Sequence, residues 1–191
     1  VWLGVLSAIH HNRFIDQVLR VFSIVGYSIP VFVFGLVVLM VFYARLGWFP
    51  PGRISDWASQ IIQSSSYVSY TRMYTVDALL NGRFDVFLDA VKHLILPAFT
   101  LAYLNWAYLL RVTRSSMLEV LRQDYMTTAR AKGLTEPIVR NRHAVRNALI
   151  PVVTIGTLTL IGLLNGVVIT ETIFDFPGMG SFLSEAALSL D

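Results

Sequence analysis

The side chains that most often do chemistry are few in this sequence and stand apart. Histidines occur at 10, 11, 93 and 143. They show no metal-ligand spacing, and no metal is assigned. No cysteine is present, which excludes disulfides, thiolate catalysis, iron–sulfur clusters and cysteine zinc sites. No glycine-rich phosphate loop ending in Lys-Ser or Lys-Thr occurs, so this chain does not hydrolyse ATP. No nucleophile can be set beside a base. The long apolar windows also lack the paired ionisable groups that an intramembrane enzyme needs. A net charge of +3 is too small to argue for nucleic acid. What remains is recognition without bond making, and the residues suited to it crowd into one stretch. Between 111 and 146 lie Arg111, Arg114, Arg122, Arg130, Lys132, Arg140, Arg142 and Arg146.

The elements that must position this stretch follow from composition. Hydrophobic residues make up 55% of the chain and charged residues 14%, against about 25% charged in a soluble domain. The charge is missing from three windows, 21–43, 93–110 and 147–170, each long enough to cross a bilayer as a helix. A helix is required there because no water is available to satisfy backbone groups. Pro30 and Pro97 lie inside two of these windows, where bundle neighbours tolerate a kink. Residues 1–9 are too short to span and read as the tail of a span that begins earlier. No basic segment precedes them and no cleavage signal follows, so they are not read as a signal peptide. The end at Asp191 reads as cut in the same way.

Three spans fix which loops share a side. Residues 10–20 and 111–146 carry ten of the fifteen basic residues, and residues 44–92 and 171–191 carry five. The positive-inside rule puts the first pair in the cytoplasm. Arg111 and Arg114, at the edge of a span, read as snorkelling anchors. The outer loop 44–92 opens with a rigid turn, Trp48-Phe49-Pro50-Pro51-Gly52. Its polar run Gln63-Ser64-Ser65-Ser66 is expected to be irregular. Residues 76–91 have apolar residues at helical intervals and are expected to lie along the membrane surface, with a break at Gly82.

Within 111–146, residues 116–132 are expected to form one helix, with Met117, Leu118, Val120, Leu121, Tyr125 and Met126 as its apolar stripe. Gly133 would close it at positive φ. Thr135 can cap a second helix that has Glu136 and Pro137 in its first turn. That short basic helix, with Ile138, Val139 and Val145 on its apolar side, is too short to be stable alone. Two roles are open to it on periodicity: a knob seated in a groove of another protein, or an amphipathic helix on anionic lipid.

Residues 124–134, from Asp124-Tyr125-Met126-Thr127-Thr128-Ala129 to Gly133-Leu134, followed by 143–151, from His143-Ala144-Val145-Arg146-Asn147 to Pro151, resemble a known loop. It is the EAA loop of binding-protein-dependent ABC permeases, and more narrowly that of the dipeptide/oligopeptide/nickel subfamily. Asp16-Gln17-Val18-Leu19-Arg20 and the stretch Glu171-Thr172-Ile173-Phe174-Asp175-Phe176-Pro177-Gly178-Met179-Gly180 agree, so the resemblance covers nearly the whole chain. Ala129 and Gly133 match the general pattern, whereas Thr127 and Thr128 stand where it has Glu-Ala. The long gap from Gly133 to Pro151 is similar to the peptide subfamily.

The resemblance implies an all-α polytopic membrane bundle, a fragment of the type I ABC importer (MetI-like) transmembrane domain over 1–191, multi-pass in the cell's inner membrane. It implies that the short helix after Gly133 is the coupling helix, docked in a cleft of a cytoplasmic ATPase that holds the ATP and Mg; this chain itself has no cofactor and is not an enzyme. The residues it assigns to coupling are Ala129, Gly133, Leu134, Glu136, Arg140, His143, Arg146 and Pro151. It also implies a homologous or identical permease partner, an extracytoplasmic substrate-binding protein, contact with membrane lipid, and a di- or oligopeptide cargo, with nickel as the alternative.

Polar residues inside the windows complete the inventory. Ser28, Asn105, Thr157 and Asn165 are candidates for a substrate path, set against interhelical hydrogen bonding for these and for Thr154 and Thr159. Gly156, Gly162 and Gly166 read as close helix packing. Pro177-Gly178-Met179-Gly180 reads as a turn at the outer mouth. A passive channel or receptor subunit is the rival class, and it would need neither the basic loop nor ATP.

Overall fold

The computed structural model describes residues 1–164 and 167–189, and every regular element among them is helical. In chain order they are α1 Trp2–Ile9, α2 Phe14–Ser28, α3 Val31–Leu39, α4 Asp56–Ile62, α5 Tyr74–Leu80, α6 Phe84–Leu121, α7 Asp124–Ala131, α8 Glu136–Ile138, α9 Arg146–Leu164, α10 Val168–Ile173 and α11 Met179–Ser189. Two π-helical stretches, Met40–Arg45 after α3 and Val139–Val145 between α8 and α9, continue the helices they adjoin. The chain is an all-α membrane bundle. Among the described residues two helices are long and apolar enough to cross a membrane, Phe84–Leu121 and Glu136–Leu164, and the pair Phe14–Ser28 with Val31–Arg45 makes a third if it forms one span.

The chain divides into two compact units: residues 1–29 with 103–164, and residues 30–102 with the described part of 165–191. In the first, α1 and α2 lie directly on α6. A Cβ at Gly4 would stand 2.6 Å from Cβ of Thr113, and one at Gly26 would stand 2.5 Å from Cβ of Ala107, so only glycine permits these approaches. Phe22 and Tyr103 meet edge to face at 4.8 Å. In the second unit, Val38, Leu96 and Phe174 form one buried cluster and Ala58, Ala78 and Val86 another.

Several boundaries differ from those expected of the sequence. The window 93–110 lies inside α6, which continues at both ends. Gly82 does break the chain, at φ +66, but from Phe84 onward the helix is continuous with the apolar column and not a separate surface helix. Two helices with Pro30 between them occupy 21–43, because proline cannot donate to the ladder and drives the preceding Ile29 into an extended conformation at ψ 125. Pro97, by contrast, sits within α6. The window 147–170 is helical to Leu164 and again over Val168–Ile173.

The long loop 44–92 is folded. Asp77, at 1% exposure, organises its middle. Its carboxylate accepts from the Thr71 N–H and hydroxyl, both at 2.8 Å, from the Ser69 hydroxyl at 2.9 Å and from the Arg72 N–H at 3.0 Å. These bonds hold Arg72 at φ +61, a conformation that non-glycine residues seldom adopt. Burial pushes the Asp77 carboxyl up, but the donors from Thr71, Ser69 and Arg72 outweigh it and hold the group below its ordinary value. A folded pKa below the unfolded one gives stability that is present at neutral pH and lost as pH falls below the ordinary carboxylate value. Asp77→Asn should therefore expose 69–73 at neutral pH, seen as trypsin cleavage after Arg72. The wild-type protein should open there only in acid, with pepsin as the probe. Equal neutral-pH cleavage of the two proteins would refute this role.

Candidate functional site

The basic stretch begins as the end of α6. Its last turn tightens, with the Arg122 N–H donating to Glu119 and the Gln123 N–H to Val120, both at 3.1 Å. Gln123 then turns extended at ψ 148 and α7 starts at Asp124, whose charge suits a helix N-terminus. Residues 116–132 are therefore two helices and not the one expected. Periodicity could not reveal the break, because Met117 of α6 and Met126 of α7 are buried in the same cluster.

That cluster joins four elements: Val5 and Ala8 of α1, Met117 of α6, Met126 and Ala129 of α7, and Val139, Ala144 and Ala148 beyond. Eight residues make too short a helix to persist alone. Fully burying a methionine contributes roughly 1.5–3 kcal/mol, so Met126, at 0% exposure, is the main tether of α7. The Asn147 side-chain amide adds a bond to the Tyr125 hydroxyl at 3.2 Å and another to the His143 carbonyl at 2.9 Å.

After α7 the chain turns a corner. Gly133 has φ +77 with nothing within 4 Å of a built Cβ, so the residue serves the turn and not a close contact. Thr135 occupies the N-cap position, at ψ 147, but its side chain makes no capping bond. The segment from Glu136 is not the separate short helix expected: α8, the π turn and α9 run without interruption to Leu164. The π turn explains how. Val139, Ala144 and Ala148 stand five and then four residues apart, and the extra residue of a π turn keeps all three on one face. The only discrete short helix in this stretch is α7, ahead of Gly133.

The residues expected to couple now separate by place. Ala129 lies on the buried face of α7. Gly133, Leu134 and Glu136 lie exposed at the corner, where Arg130 Nε donates to Glu136 Oε1 at 2.8 Å. Arg140 is half-buried, donates to Asn141 at 3.0 Å and borders a cavity of about 370 Å³ against Trp2, Leu6 and Ile9. His143 is half-buried, Arg146 is exposed, and Pro151 lies in α9. Of the substrate-path candidates, Ser28 ends α2, Asn105 is half-buried in α6, and Asn165 lies outside the described residues. Thr154, Thr157 and Thr159 donate to the carbonyls four residues back in their own helix, at 3.2, 3.0 and 2.9 Å. Gly156 and Gly162 have nothing within 4 Å of a built Cβ, so neither marks a close packing within this chain; Gly166 lies outside the described residues.

Arg111 and Arg114, expected as simple anchors at a span edge, each have a partner within the fold. The Arg111 guanidinium sits over the Tyr27 ring at 4.6 Å. Arg114 makes a two-pronged pair with Asp16, at 2.7 and 2.8 Å, and also donates to His11 at 3.1 Å. Asp16 is fully buried, and it also accepts from the Ser7 hydroxyl at 2.6 Å and the Asn12 N–H at 2.9 Å. Sequence reasoning picked out residues 16–20 as a motif without finding this partnership. The available signal was an acid in the first turn of α2 on the same side of the chain as an excess of arginine.

A family model described as "Binding-protein-dependent transport system inner membrane component" matches residues 1–191. The chain is 44% identical over 190 residues to a probable D,D-dipeptide transport system permease protein of Escherichia coli K12, an overlap covering 99% of this chain and 54% of that one. It is 44% identical over 183 residues to a di/tripeptide transport system permease protein of Pseudomonas aeruginosa, covering 96% and 53%. It is 42% identical over 188 residues to an oligopeptide transport system permease protein of Bacillus subtilis, covering 98% and 52%. The chain thus spans about half the length of these relatives.

The two kinds of contact at the site should separate in a melting experiment on the full-length protein in detergent. Met126→Ala leaves a void in the cluster and should cost about 2–5 kcal/mol. Glu136→Ala breaks an exposed ion pair and should cost less than about 1 kcal/mol. Comparable losses from the two variants would show that the cluster does not anchor α7.

Proposed function

This chain belongs to the family of binding-protein-dependent transport system inner membrane components, and we propose on that footing that it is a permease subunit of an ATP-driven peptide importer. It forms part of the substrate pathway and couples that pathway to a separate ATPase. The observation that carries the proposal is the discrete helix α7 with its glycine corner. Tyr125, Thr127, Thr128 and the whole run 130–138 are exposed there, held on one buried cluster. A short helix fixed from below and bare above is shaped to enter a cleft of another protein. The excess of Arg and Lys on this side of the chain supports a cytoplasmic position for the helix, facing a partner ATPase that would hold ATP and Mg. The docking element is α7, and the corner residues Gly133, Leu134 and Glu136 follow it into the cleft. The cationic residues Arg140 and Arg146 flank it, and the main-chain carbonyl of His143 accepts from the Asn147 amide that also meets Tyr125.

Peptide is favoured over nickel because the named cargoes of the three relatives are a D,D-dipeptide, di- and tripeptides, and oligopeptides. The partners are ATPase subunits at the corner, an extracytoplasmic binding protein over the folded loop 44–92, and a homologous or identical permease. α9 supports the last of these, since Val153, Leu158, Leu160, Ile161 and Leu164 are exposed around it and need lipid or a second permease to cover them. A passive channel would conduct without ATP.

The test uses the full-length protein reconstituted in proteoliposomes with its ATPases, partner permease and binding protein. Space around Gly133 is open, so Gly133→Arg costs only the left-handed backbone, about 1–2 kcal/mol, and should insert and assemble. Its bulk and charge should nevertheless keep the corner out of the cleft and reduce ATP-dependent dipeptide uptake to background. Gly133→Asn, which tolerates the left-handed region, should retain most uptake. Normal uptake by Gly133→Arg, or wild-type uptake without ATP, would end this reading.

A further inference from the structure

The seat of α7 is held in place by a buried ion pair on the other side of it. Val5 and Ala8 of α1 form part of the cluster that receives Met126 and Ala129. α1 is itself only eight residues long and has no side-chain cap at its start. Its position is fixed by Gly4 against Thr113, and by Ser7, whose hydroxyl donates to Asp16 at 2.6 Å. Asp16 belongs to α2, and its carboxylate is gripped on both oxygens by Arg114 of α6, at 2.7 and 2.8 Å. The Asn12 N–H adds a bond at 2.9 Å from the turn between α1 and α2, with Asn12 at φ +62. One carboxylate therefore ties α1, the α1–α2 turn, α2 and α6 at a single point. Asp16 has no exposed surface and Arg114 is 17% exposed, so water competes little for the pair.

We propose that Asp16 and Arg114 are positioning residues for coupling, a latch that makes α1, α2 and α6 move as one body with α7. The inference rests on α7 being the docking helix. A push delivered to α7 reaches Val5 and Ala8 through Met126 and Ala129. It also reaches the end of α6 directly through Met117, and with the latch intact it passes from α1 to α2 as well, so that α2 keeps step with α6. With the latch broken, the α1–α2 turn yields, the part carried by α1 is spent there, and α2 falls out of step with α6. A coupling between sites is commonly worth a factor of about 5–150, so loss of the latch should be visible in transport per ATP and not in docking.

The experiment compares wild type, Asp16→Asn, Arg114→Lys and the double variant in the reconstituted complex. It reads three quantities: ATPase recovered on affinity purification, ATP hydrolysed, and dipeptide imported. The expected result is unchanged ATPase recovery with import per ATP lowered about tenfold. The double variant should be no worse than the worse single one, because both remove one connection. Arg114→Lys keeps the charge but not the two-pronged geometry, and should fall between wild type and Asp16→Asn. Ser7→Ala keeps the ion pair and removes only the α1 connection. It should lower the same ratio severalfold, and it decides the question if Asp16→Asn fails to assemble. An unchanged ratio in the assembled variants, or additive losses in the double variant, would overturn the latch alone. A wild-type complex that recovers no ATPase would overturn both the latch and the docking reading beneath it.

Discussion

The position of α7 depends on the burial of two side chains, Met126 and Ala129, in a cluster that no single helix could form. A helix of this length melts in water, because the cost of its first turn is not recovered over eight residues. What keeps it is apolar surface contributed by α1, by the end of α6 and by the helix that follows Gly133. This constraint orders the surroundings. α7 can present Thr127 and Thr128 outward only because its other face is filled, and the corner at Gly133 can be sharp only because both arms are pinned to the same core.

A second constraint concerns charge. Burying a carboxylate is costly unless its lone pairs are met by donors, and one unpaired charge in this setting would be severe. Asp16 meets that condition with four donors: Ser7, Asn12 and two nitrogens of Arg114. The ion pair need not add stability over an apolar substitute. Its contribution is geometric, since apolar surfaces can slide past one another and a forked hydrogen-bonded pair cannot. The cluster around Met126 and the pair at Asp16 therefore divide the work, one supplying adhesion and the other register.

The sequence makes the coarse architecture legible. The uncharged windows anticipate the apolar columns, and positive φ at Gly133 and Gly82 follows from where each glycine stands relative to a periodic run. Three features escaped for physical reasons. The break at Arg122–Gln123 preserves the apolar stripe on both sides, so periodicity passes through it unchanged. The π turn is a matter of one extra residue, visible only once Val139, Ala144 and Ala148 are known to share a face. Asp16 and Arg114 are 98 residues apart, and nothing local to either names the other. Reading Arg111 and Arg114 as simple span-edge anchors did not reveal that each has a partner within the fold, an aromatic ring in one case and a carboxylate in the other.

The helix after Gly133 must satisfy two surroundings along one axis. Its foot buries Val139, Ala144 and Ala148 against a protein core, whereas its shaft beyond Val152 is apolar and exposed. A uniform α-helix turns about 100° per residue, so a single added residue re-aims everything beyond it by about that much. The π turn at Val139–Val145 supplies that offset. It lets the foot face the α7 cluster without dictating which way the shaft faces. π turns hold one more residue per turn at little gain in hydrogen bonding and persist where geometry requires them. This one lies between the glycine corner and the apolar column, so any displacement of the corner reaches the column through it. Continuity of the helix carries the displacement, and the widened turn sets its direction.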